Sequence, residues 1–128
     1  MSDFAVSIPG YAALSEFVGG EFPSFHDSEV VAVSLNRAGV SRISIRFVGR
    51  RRDASTSEWI ILEHFIVTFL LEAVTDLELQ GFNHQNVIAR LTLSLRESGI
   101  RLELWPCFGL AGWIDAEKVS IESGSQPL

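Results

Sequence analysis

The feature that most constrains the fold of this chain is a strict two-residue alternation toward its C-terminus. Val87, Ala89, Leu91, Leu93 and Leu95 alternate with Ile88, Arg90, Thr92, Ser94 and Arg96, and Ile100, Leu102 and Leu104 return opposite Arg101 and Glu103. Period two places successive side chains on opposite faces of a strand. The polar step Arg96-Glu97-Ser98-Gly99 between the two runs turns the chain, so the pattern predicts a β-hairpin with one buried and one wet face. The same logic predicts an earlier hairpin: Val31, Val33 and Leu35 alternate with small residues, Asn36-Arg37-Ala38-Gly39 turns, and Ile43, Ile45 and Phe47 return against Arg42, Ser44 and Arg46.

Around these hairpins the remaining elements are less regular. Tyr11, Leu14, Phe17 and Val18 recur at helical spacing before Gly19-Gly20, which predicts a short amphipathic helix of about two to three turns. Residues 58–74 are long enough for a helix, but Ile60, Ile61, Ile66, Val67 and Thr68 are β-branched and favour a strand, here a central one covered on both sides. Leu77 and Leu79 predict a brief separate strand that ends at Gly81. Trp105-Pro106 is expected to end the second hairpin, Gly109 and Gly112 to frame a turn, and Trp113 to Ile121 to form the last strand. Residues 49–57 read as a mobile polar loop, and residues 123–128 as a frayed tail. The expected fold is therefore α+β and mostly β: an antiparallel sheet built from hairpins, one short N-terminal helix packed on it, and a single domain over residues 1–122.

Composition narrows the class of protein. With 128 residues, 47% of them hydrophobic and 20% charged, the chain can bury a core and is unlike a disordered one. The net charge of −6 is unevenly placed: residues 1–36 carry −5, residues 37–52 carry six arginines and no acid, and residues 53–128 carry −7. An acidic body argues against nucleic acid as a partner, and the cluster Arg50, Arg51 and Arg52 reads as a solvated hairpin and loop. The single cysteine, Cys107, excludes an internal disulfide and paired-cysteine zinc sites, and beside Pro106 and Phe108 it reads as a small buried hydrophobe. Residues 1–10 lack the pattern of a secretory signal, and the longest apolar runs, 59–62 and 65–71, fall far short of the ~20 residues of a membrane span. The expectation is a cytoplasmic protein with no membrane partner.

Three histidines are present, His26, His64 and His84, and two of them sit in polar clusters. Phe25-His26-Asp27-Ser28-Glu29 and Phe82-Asn83-His84-Gln85-Asn86 offer nitrogen and oxygen donors suited to a divalent metal or to acid–base work. On that reading the protein is a small metal-dependent or acid–base hydrolase using His26, Asp27, Glu29 and His84. The spacing matches no metal motif such as HExxH, however, and no cofactor is implied. The structural reading of the same clusters is that Asp27, Ser28, Asn83 and Asn86 hydrogen-bond nearby backbone while Phe25 and Phe82 anchor the two loops in the core. Ser28 and Cys107 lie in no nucleophile pattern, and no enzyme signature survives.

At these clusters the sequence resembles the immunity protein 50 family of bacterial polymorphic-toxin systems. The resemblance is carried, in order, by Pro23-Ser24-Phe25-His26-Asp27-Ser28-Glu29, Val67-Thr68-Phe69, Asp76-Leu77-Glu78-Leu79, Phe82-Asn83-His84-Gln85-Asn86-Val87 and Phe108-Gly109-Leu110-Ala111-Gly112, over roughly residues 11–122; residues 50–57 stand apart from these motifs. It implies a non-enzymatic binding protein, with no catalytic residues to carry over, that neutralises a cognate toxin domain such as a nuclease with a basic cleft. The acidic charge is compatible with that through steering. Candidate contacts are exposed acids, Asp76 and Glu78 among them, and the tryptophans Trp59, Trp105 and Trp113, because tryptophan dominates hot spots where it is exposed; all three can equally be core. A self-associating β domain without a toxin is the remaining alternative, since sheet edges pair readily.

Overall fold

The computed structural model describes residues 3–20, 22–53 and 55–125. A 3₁₀ turn over Asp3–Ser7 leads into helix α1, Tyr11–Phe17, and six strands follow: β1 Glu29–Ser34, β2 Val40–Arg52, β3 Trp59–Gln80, β4 Val87–Arg96, β5 Gly99–Phe108 and β6 Ala111–Ser125. Every pairing is antiparallel, and the order β1-β2-β3-β6-β5-β4 closes into a barrel. The mostly-β antiparallel class with an N-terminal helix is as the sequence predicts. Closure goes further than the hairpins alone imply, and it is made by a short seam in which Glu29 pairs with Val87.

Both predicted hairpins form, with Ile43, Ile45, Leu91, Leu93, Leu102 and Leu104 facing the core, but Val31, Leu35 and Leu95 are exposed. Val30 and Ile88 are buried instead, because register shifts near them change which face points inward. Helix α1 contributes fully buried Leu14, and Phe17 stacks on Phe65 with ring centres 4.5 Å apart. The N-terminal segment also satisfies β6, because the Ile121 N–H donates to the Pro9 carbonyl at 2.8 Å. At the barrel's centre Phe25 meets Phe47 and Phe69 edge-on, each at 5.7 Å.

Further differences lie in β3, β5 and β6. The stretch 58–74 and the brief strand at Leu77 and Leu79 are one strand of 22 residues. Its inner face is buried at Phe65, Val67, Phe69 and Leu71, while the intervening Ile66, Thr68 and Leu70 are only half-buried rather than covered. The alternation is lost at Glu72-Ala73, both exposed, where Ala73 takes a left-handed φ of 54°, and the register shifts between Val74 and Asp76. Such irregularities reverse which face a side chain occupies without ending the pairing, so one strand reads as two. Trp105-Pro106 does not end β5, which runs on to Phe108; register shifts around Ile88 accommodate Pro106, which has no N–H to give the ladder. Strand β6 continues three residues past the boundary drawn at 122, and residues 126–128 lie outside the described residues.

The largest difference is the segment read as a mobile loop. Gly49 to Arg52 belong to β2 and pair with Leu62 to Trp59 of β3. Among the described residues, β1 follows β2 only to the pair Glu29–Arg46, and β6 follows β3 only to Ser125–Phe65. The β2–β3 hairpin beyond them is thus a two-stranded arm. It reads poorly as a strand because little of it meets the core: Ile60 packs against the core, while Trp59 and Ile61 beside it are exposed. Its tip is held by Asp53, whose carboxylate accepts from the Ser55 N–H at 2.8 Å, the Ser55 hydroxyl at 2.6 Å and the Thr56 N–H at 3.0 Å.

These bonds, the Ser55 hydroxyl first, lower the Asp53 pKa to about 2 from an ordinary 3.8. A lowered folded-state pKa means the turn's stabilisation is complete above the ordinary value and is lost as pH falls through the folded one. We expect the Asp53 carboxyl and the Ser55 and Thr56 amides to titrate together near pH 2 by NMR, with the midpoint moving back toward 3.8 in Ser55→Ala. A wild-type midpoint at 3.8 would contradict this geometry.

Candidate partner-binding face

The two polar clusters come together at the seam between β1 and β4. The Asp27 N–H donates to the Ile88 carbonyl at 2.8 Å, the Ile88 N–H to Ser28 at 2.8 Å, the Val30 N–H to Asn86 at 2.9 Å and the Leu91 N–H to Ser24 at 2.9 Å. Ser28 is fully buried, and its hydroxyl accepts from the Val48 N–H at 3.0 Å. Buried Asn86 accepts from the N–H groups of Asn83 and Leu110, both at 3.0 Å, and donates to the Asn83 carbonyl at 2.7 Å. For Ser28, Asn83 and Asn86 this is the backbone-fixing role the clusters suggest, because a buried amide is tolerated only when its bonds are made. Asp27 takes part through its backbone N–H, and its carboxylate is exposed. Phe25 is the expected core anchor, but Phe82 is 55% exposed and anchors nothing. Cys107 is exposed too, on the part of β5 beyond the expected end of the hairpin, rather than buried.

The titratable candidates of these clusters are drawn to separate partners. His26 Nδ1 lies 3.1 Å from the Ala89 carbonyl and its Nε2 lies 3.5 Å from Asp27, with both side chains largely exposed. Glu29 instead accepts from Arg46 at 2.8 Å. His84 is exposed on the loop between β3 and β4. An open cleft of about 420 Å³ includes His26, Ser24, Phe22 and Arg50 in its walls, but neither Glu29 nor His84. Among the described residues no three His, Cys, Asp or Glu side chains converge on a metal-sized site, and the His64 side chain lies outside the described residues.

Four of the five candidate partner contacts do converge. On the outer side of the barrel Trp113 of β6 stands opposite Glu78 of β3 and Glu103 of β5. Cross-strand partners share a face, so these three form a row. In the next row Asp76 of β3 faces Asp115 of β6, which faces Arg101 of β5. Arg101 binds Asp115 with two bonds, of 2.7 and 3.0 Å, and lies 3.9 Å from the centre of the Trp113 ring. The paired geometry holds the Asp115 carboxyl below its ordinary range and keeps Arg101 charged. Trp105, two residues beyond Glu103 and 40% exposed, has Arg90 stacked over it at 4.7 Å and donates its indole N–H to Thr92 at 3.3 Å. Each ring is thus oriented by a cation, with Trp113 flanked by Glu78 and Glu103 and Trp105 two residues along β5 from Glu103.

Sequence reasoning missed Glu103, Arg101 and Arg90 on this face. The signal was present, since Arg101, Glu103 and Trp105 are spaced by two along one strand. Trp59 is not part of the face; it lies on the arm, opposite Arg52 in the ladder, with Arg50 stacked 4.5 Å from its ring centre.

Comparison with protein families gives a match to immunity protein 50 over residues 12–125. The chain belongs to the immunity protein 50 family. No curated protein and no solved structure matches it. In this immunity protein the Asn86 side chain ties the loop before β4 to Leu110, and backbone bonds of Asp27, Ser28 and Val30 to Ile88 and Asn86 tie the Phe25 segment to β4 and hold the barrel shut. The segment around Glu78 and Leu79 places an acid on the outer face, directly across from Trp113. No helix among the described residues is long and apolar enough to cross a membrane.

Proposed function

We propose that this protein is a non-enzymatic immunity protein that binds a cognate toxin domain through the outer face of β3, β6, β5 and β4 and neutralises it by occupancy. The observation that carries this is the convergence of Trp105 and Trp113, each backed by an arginine, with Glu78, Glu103 and Asp76 around them. Tryptophan and arginine in pre-oriented positions are the groups that dominate binding energy in protein interfaces. The acidic border and the net charge of −6 favour a toxin whose active-site cleft is basic, as in a nuclease, because opposite fields speed encounter and the carboxylates stand where substrate phosphates would. The protein acts in the cytoplasm, where such a toxin reaches its target.

The test is co-expression with a toxin domain encoded by an adjacent open reading frame, identified by its toxicity when expressed alone. Growth is expected to be restored, and the two proteins are expected to co-purify as a 1:1 complex whose association slows with added salt. A wild-type chain that neither restores growth nor binds the toxin would overturn the proposal.

A further inference from the structure

The arm is unexplained by a toxin with a basic cleft. It presents Arg50, Trp59 and Ile61 together: Arg50 pairs directly with Ile61 in the ladder, and its guanidinium stacks on Trp59. Trp59 is 51% exposed and Ile61 68% exposed. The segment that forms one side of the arm ends a run of six arginines with no acid, whereas the chain on either side of that run is acidic. A basic toxin surface would repel such an arm, so its occupant has to be acidic and also offer apolar contact.

A second copy of this chain offers both. On its outer face Glu78 and Glu103 flank Trp113 from the two neighbouring strands, which sets their backbones roughly 10 Å apart. The arm carries four cross-strand pairs from Gly49–Leu62 to Arg52–Trp59, a length of roughly 13 Å, enough to cross those three strands. We propose that the arm of one copy lies across the Trp113 face of a second and the reverse, so that the protein stores its toxin-binding face in a two-fold dimer that the toxin displaces. Reciprocal exchange closes the assembly at two copies. The storage role rests on the toxin-face reading above, but the dimer itself is measured without a toxin.

The experiment is sedimentation equilibrium of the full chain over a concentration series, at about 0.05 M and about 0.5 M salt. The wild type is expected to dimerise, at least tenfold more weakly at high salt. An arm variant, Arg50→Glu with Trp59→Ala, and a face variant, Glu78→Arg with Glu103→Arg, are each expected to be monomeric while melting at the wild-type temperature. Mixed together they are expected to associate, because the intact arm of the face variant meets the intact face of the arm variant. A wild type that stays monomeric, variants that dimerise like the wild type, or a mixture that associates no better than its components would each overturn the proposal. Growth rescue by the wild type is read separately, so failure of the dimer and failure of toxin binding are distinguishable.

Discussion

Phe25→Ala is expected to lower stability by about 3–5 kcal/mol and the melting temperature by about 10–20 °C. Its ring is 1% exposed and touches Phe22, Phe47 and Phe69 edge-on, so truncation leaves a cavity that rigid strands on several sides cannot fill. The backbone adds to the effect. Phe25 and Asp27 both have φ of 65°, a left-handed conformation that L residues rarely adopt. The turn they make, with the Ser28 N–H bonded to the Phe25 carbonyl at 3.0 Å, is what brings Ser24 and Asp27 onto β4 and closes the barrel. Burial of the ring offsets that strain, and alanine at the same φ keeps the strain without the burial. A domain of this size has only about 5–15 kcal/mol in hand, so the variant should sit near its folding threshold. Asp27→Gly is the contrasting case: its side chain is exposed and glycine suits the conformation, so stability should change by less than about 1 kcal/mol. Urea and thermal unfolding followed by circular dichroism measure both. A loss below about 1 kcal/mol for Phe25→Ala would mean that the ring is not the anchor of the seam.

How much of this was legible in the sequence depends on whether a residue faces the core. The hairpins around residues 31–47 and 87–104 could be read because β2, β5 and the middle of β4 bury one face, which imposes a two-residue period; bulges near Val30 and Ile88 break that period in β1 and at the start of β4. The same rule fails at Ala73, where a left-handed residue flips the period inside a continuous strand, and on the arm, where Ile60 reaches the core but Arg50, Trp59 and Ile61 are exposed. Phe25 and Phe82 have near-identical local settings, each opening a polar cluster around a histidine, yet one is buried and the other exposed. The difference lies in the left-handed turn at Phe25, which nothing in its neighbours announces. The candidate face divides the same way. Arg101, Glu103 and Trp105 share a face by spacing alone, whereas the meeting of Glu78 with Trp113 depends on a register between strands 35 residues apart in the chain. Trp59 has the same composition-based claim as the other tryptophans, and only the topology separates it from them.

That separation gives the sharpest test of the binding face. Trp105→Ala and Trp113→Ala are each expected to weaken the toxin complex by at least about 2 kcal/mol, or about 30-fold, through faster dissociation. Glu78→Arg with Glu103→Arg is expected to act mainly on the association rate and to remove most of its salt dependence, because exposed interface charges steer encounter more than they hold the complex. Trp113 is half-buried and is the ring on which Arg101 stacks, so its variant must be compared at a temperature well below its own melting point. Trp105 makes the cleaner test, since losing it frees only Arg90 and the Thr92 hydroxyl. Trp59→Ala is expected to do the opposite of the other two tryptophan changes. It removes an arm contact and leaves the face intact, so toxin should bind at least as tightly as to the wild type, and more tightly at concentrations where the wild type is dimeric. Surface-plasmon measurements of the four variants against one toxin preparation decide the matter. If Trp59→Ala weakens binding as much as Trp105→Ala does, the toxin engages the arm and the face together, and the assignment of the arm to a second copy falls with it.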